Sequence, residues 1–90
     1  MALISDCDTA AVGDMGYTDG TTLNVPMTKD VDGNDVQAIS YGSFVCEGSQ
    51  GNISVQRLTG FEQKENIHPA TYQRIDIADG NGFGEWLKIS

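Results

Sequence analysis

The densest set of oxygen ligands in this chain is Asp30, Asp32, Asn34 and Asp35, and calcium binding is the chemistry they could support. A calcium loop of the helix–loop–helix kind needs oxygens at its first, third and fifth positions, glycine at the sixth and glutamate at the twelfth. Here Gly33 falls at the fourth position, Asp35 at the sixth and Tyr41 at the twelfth, so an Asp- and Gly-rich turn accounts for the cluster without metal. His68 is the chain's only histidine, and any Ser or Cys nucleophile activated by imidazole would have to use it. Pro69 holds His68 in extended geometry, and the order of residues ties it to no nucleophile. Cys7 and Cys46 lack the close spacing of a zinc knuckle or a redox pair; they are expected as free thiols, a disulfide arising only if the tail folds back. Glu62, Glu65, Asp76 and Glu85 offer paired carboxylates for glycoside hydrolysis, but that chemistry needs a deep cleft that a domain of this size seldom builds. The run Gly80, Asn81, Gly82, Phe83, Gly84 resembles a phosphate cradle only in composition, with no lysine and no helix after it. No residue is therefore assigned a catalytic, metal-binding or cofactor-binding role.

Aromatic residues are the better candidates for contact with a partner. Tyr41, Phe61, Tyr72 and Trp86 are singled out, the last two because each lies opposite the more aliphatic face of its strand. The elements that must position them alternate at period two. Residues 21–27 carry Leu23, Val25 and Met27 on one side, with Pro26 marking an edge strand. Residues 36–45 and 52–58 read as strands, Ile53 and Val55 inward against Ser54 and Gln56 outward. Residues 70–78 place Ile75 and Ile77 against Tyr72, Arg74 and Asp76, and residues 83–90 set Trp86 against Leu87 and Ile89. Between them, 30–35, 47–51 and 79–82 are turns, the last a hairpin signal. Residues 59–68 have room for one helical turn at most. Short strands between Gly-rich turns predict an all-β fold, a small antiparallel β-sandwich or open barrel. Residues 1–20 show no period and are broken by Gly13, Gly16 and Gly20; they predict an extended acidic arm before a single β domain over 21–90.

Composition narrows the partners. Thirteen acids against five bases give 90 residues a net charge of −8. Seven aspartates and one base, Lys29, fall in residues 1–45. Phosphate backbones are held by clustered Lys and Arg, which are missing, so nucleic acid and anionic membranes are not expected partners. No basic, apolar leader opens the chain and no apolar run approaches a membrane span. A domain this small buries roughly 65% of its unfolded surface, so burial against a partner is expected to supplement its core.

From Ile39 onward the order of features resembles a short β-rich domain of tailed-phage and gene-transfer-agent virions, found in head-spike base proteins. The matching positions are Tyr41 and Gly42, the strand from Gly51 to Val55, Gly60 and Phe61, Ile67 to Pro69, Arg74 and Ile75, Asp79 and Gly80, and Trp86 and Leu87. The resemblance covers about the last fifty residues. The chain departs from the family at 80–83, where a Gly-Thr-Thr-Ala turn is usual, and at Glu65 and Asn66, where Ala-Gly is common. The resemblance implies a non-enzymatic virion component on the capsid exterior, made in the host cytoplasm. It would serve as capsid decoration or head-spike base, docked on the major capsid protein or a spike protein and assembled as a homo-oligomer. The −8 charge suggests an alternative, a small acidic mimic of nucleic acid that inhibits a host enzyme, and the aspartate turn a third, a calcium-dependent sugar-binding module.

Overall fold

β-branched and aromatic residues at period two, cut by Gly, Asn and Asp, leave the backbone little choice but extended segments joined by tight turns. The computed structural model describes residues 2–48, 52–63 and 67–90, and among these eight strands form and no helix. They are β1 (Ala2–Leu3), β2 (Met15–Thr18), β3 (Met27–Lys29), β4 (Asp35–Gln37), β5 (Gly42–Gly48), β6 (Ser54–Gln63), β7 (Ile67–Asp76) and β8 (Leu87–Lys88). Six make one open sheet in the order β1-β2-β5-β6-β7-β8, and β3 and β4 form a separate hairpin. The expected all-β class holds, with two sheets and no closed barrel.

The meander β5-β6-β7 is the spine, its registers running from Gly48 opposite Ser54 to Gln63 opposite Ile67. Its inner face carries Phe44, Cys46, Leu58, Ala70 and Tyr72, covered by Cys7, Val25, Ala38 and Ile39 from the irregular segments. Gly42 and Gly60 face each other across β5 and β6 and make the seat for Ile39. A Cβ on Gly60 would stand 2.6 Å from Ile39 Cγ2 and 2.8 Å from the Tyr41 carbonyl, so the seat exists only because both positions lack a side chain.

Five expectations need correction. Residues 2–20 do not stand clear of the domain as an arm. β1 pairs with β2, β2 pairs with β5, and Cys7 is fully buried. Gly16, one of the glycines that broke the periodicity, is what admits this packing, since a Cβ there would collide with the Ala2 carbonyl oxygen. No strand forms over 21–26, β3 beginning only at Met27, and the strand expected at 36–45 splits at residues 38–41, where Ala38 and Ile39 turn inward. Residues 59–63, given room for one helical turn at most, continue β6, because ten consecutive residues find partners on β7. The turn at 79–82 sits inside a longer connection from β7 to β8 rather than forming a tight hairpin. Gly80 and Gly82 do adopt positive φ there, 90° and 76°.

Ala78 enters the same connection at φ 64°, where its Cβ crowds the following carbonyl. Ala78→Gly relieves this, and we expect it to raise stability by about 1 kcal/mol in urea unfolding, against the usual penalty of a glycine. A destabilised variant would contradict the expectation.

Candidate functional site

The largest correction concerns which face is inside. Gln56, expected outward, is fully buried, whereas Val55, expected inward, is half-exposed. On β7, Tyr72 and Arg74 point into the core and Ile75 is 45% exposed. Alternation tells that two faces differ, but a strand's register on its neighbours decides which one is covered.

The polar residues turned inward satisfy one another. Gln56 donates through Nε2 to the Cys7 carbonyl at 2.6 Å and accepts from Arg74 Nε at 2.7 Å. Arg74 donates from Nη2 to Asp8 Oδ1 at 2.8 Å. Its guanidinium carbon lies 4.5 Å from the Phe83 ring centre and 4.7 Å from that of Trp86. Trp86 Nε1 in turn donates to the Asn24 carbonyl at 3.0 Å. One buried cation thus ties the first residues, the central strands and the last loop together. Toward the other end of the sheet the Tyr72 hydroxyl donates to Glu62 Oε1 at 2.6 Å, and Lys88 Nζ lies 3.1 Å from the same oxygen. His68 Nε2 is 3.7 Å from Glu62 Oε2.

The four aromatic candidates divide between two grooves. Tyr41 and Phe61 line one of about 1050 Å³ with Val36, Lys29 and His68, between the β3–β4 hairpin and the end of the sheet. Tyr72 and Trp86 line another, of about 730 Å³, with Met27, Arg74 and Phe83. Tyr41 is widely exposed and Phe61 borders on it, but Tyr72 is a core residue and Trp86 packs against the core. Tyr72 is therefore corrected from contact to interior: its hydroxyl finds Glu62 inside. Sequence reasoning missed the buried pairs of Gln56 with Arg74 and of Glu62 with Tyr72, and the signal was there: long polar side chains alternating with Leu58 and Tyr72 on one face.

The other candidates take ordinary places. Asp30 Oδ1 accepts the backbone N–H groups of Asp32 and Asn34, each at 2.9 Å, and Asp35 pairs with Lys29 at 2.6 Å, so the Asp30 and Asp35 carboxylates are spent on their own hairpin. No group of three metal-ligating side chains occurs among the described residues. Glu62 and Asp76 lie toward opposite ends of the sheet, about 26 Å apart along β6 by strand rise, too far to act as a pair. Glu65 lies outside the described residues, as does Gly51. Cys7 and Cys46 are free, buried thiols.

Burial pushes the Cys7 thiol up to about 11. Burial, then the hydrogen bond to the Glu62 carboxylate, pushes the Tyr72 hydroxyl up to about 12. Both folded values exceed the unfolded ones, so the unfolded chain loses these protons first as pH rises. The stability they carry is whole below about pH 9 and is lost as pH climbs through 11 and 12. We expect the melting temperature to fall steadily above pH 9, with the portion beyond pH 10 reduced in Tyr72→Phe. A melting temperature level up to pH 11 would refute this.

No protein-family profile, curated protein or solved structure matches this chain.

Proposed function

We propose that the chain is a non-enzymatic structural protein of a bacteriophage virion. In this reading it sits on the capsid exterior as decoration or head-spike base, docking on the major capsid protein and associating with itself. One observation carries the reading: the outer face of the sheet presents large apolar side chains to solvent, Met15, Ile75 and Leu87 among them. Such a surface suits a chain whose burial is completed by neighbours, as expected of a building block present in many copies. Two features of the tail-half resemblance have structural work to do here. Gly42 and Gly60 make the seat of Ile39, and Arg74 is the buried tie between distant segments. The acids also fit a soluble, high-copy surface, since Asp6, Asp19, Asp76 and Asp79 cap their own turns.

The test is particle composition. Virions purified by density gradient from an infected lysate are expected to contain the protein in a fixed ratio to the major capsid protein. Its absence from intact particles would end the proposal, as would turnover of a substrate by the purified chain.

A further inference from the structure

We propose that the outer face of the six-stranded sheet is covered by a second copy of this chain, packed face to face about a two-fold axis. This rests on the assembly reading above and names the surface of self-association. Strand registers place Met15, Val45, Arg57, Gln73 and Leu87 in one row across five strands, flanked by rows through Tyr17 and through Val55 and Ile75. None of these side chains is buried, and Met15, Ile75 and Leu87 are 61%, 45% and 64% exposed. The inner face of the same strands is covered by the core, so this outer face is the one left open to solvent.

Three observations select a second copy as the occupant. The first is charge. In a chain of net charge −8, Glu47 and Arg57 are the ionised side chains on this face among the described residues, and they lie 3.4 Å apart with opposite signs. The other described acids belong to turns, loops, the β3–β4 hairpin or the inner face. Two copies therefore meet on a surface of no net charge that offers both signs, while their acidic regions stay at the rim; a basic partner would gain little there. The second is area. At about 4.8 Å between strands and about 3.3 Å per residue, β2, β5, β6, β7 and β8 project roughly 520 Å². Side-chain relief carries the accessible area toward the about 800 Å² that a stable interface takes from each partner. The third is the state of the edges. β8, the bond from Gly84 N–H to the Ile75 carbonyl and the missing N–H of Pro69 blunt the β7 edge, and β1 at the other edge has two residues. Association edge to edge is thus hindered, and the open face remains.

Analytical ultracentrifugation of the intact chain is expected to show a dimer. Ile75→Lys and, separately, Leu87→Lys should each weaken association by about 100-fold, because each buries an unpaired charge at the contact. Asp79→Lys, in the distal turn, should leave it unchanged. Leu87 lies on a two-residue edge strand, so its variant is expected to keep the wild-type circular dichroism and a cooperative melting transition as a monomer, without the concentration dependence of a dimer. A wild-type chain that stays monomeric at about 100 µM, well above the Kd of even a weak interface of this size, overturns the proposal. So does a dimer indifferent to both lysines. A monomer that still co-purifies with particles defeats this inference alone, and a dimer missing from particles defeats only the virion reading.

Discussion

Arg74→Ala should lower the free energy of unfolding by about 3–4 kcal/mol. Three losses add. The Gln56 side-chain carbonyl loses its donor inside the protein, and an orphaned buried acceptor costs about 1–3 kcal/mol. The guanidinium between Phe83 and Trp86 is removed, and cation–π contacts contribute about 0.5–2 kcal/mol each depending on desolvation. The ion pair with Asp8 adds little by itself, because that carboxylate is half-exposed. Arg74→Lys is expected to recover less than half of the loss, since an ammonium has neither the plane to stack nor the fork to reach Gln56 and Asp8 together. Urea unfolding measures the loss. Hydrogen exchange would locate it, with faster exchange at Cys7 N–H, whose acceptor is the Leu23 carbonyl, and at Gly84 N–H, which bonds to Ile75. A cost under about 1 kcal/mol would mean that the segments around Asp8 and Trp86 are held without this residue.

Glu62→Ala should cost about 2–3 kcal/mol, because it leaves the buried Tyr72 hydroxyl without its acceptor and Lys88 without its counter-charge. Glu62→Gln separates charge from shape. It keeps an acceptor near Tyr72 but removes the carboxylate, so the Tyr72 titration, followed by tyrosinate absorbance, should move down from about 12 while staying above its ordinary value through burial. Pairing Glu62→Leu with Tyr72→Phe should cost less than Glu62→Ala alone, since removing the buried hydroxyl with its acceptor leaves only the part-exposed Lys88 without its partner. A Tyr72 titration unmoved in Glu62→Gln would show that burial alone sets it.

Much of the fold was legible because its signals are local. The turn at 30–35 needed only Asp30 reaching its own backbone, and the positive φ of Gly80 and Gly82 is what glycine at those positions foretells. The exposure of the aromatic candidates was legible only in part. Tyr41 and Phe61 share a groove and are open to solvent, whereas Tyr72 and Trp86 went inward with Arg74. Hydrophobicity ranked Ile75 above Arg74 as a core residue. The ranking failed because Arg74 finds Gln56, Asp8, Phe83 and Trp86 within the fold, which no local window contains.

The order of amino acids by itself determined the β class, the punctuation of the strands and the acidic, base-poor character of the surface, since each depends on a residue and its near neighbours. Only the tertiary structure decided that residues 2–3 and 15–18 join the sheet and that Gln56 and Arg74 face inward while Ile75 faces outward. Both outcomes turn on pairings across dozens of residues, such as Cys7 with Gln56 and Asp8 with Arg74. A period of two is unchanged when the strand is turned over; the partners that wait on one side and not on the other are what select the inside.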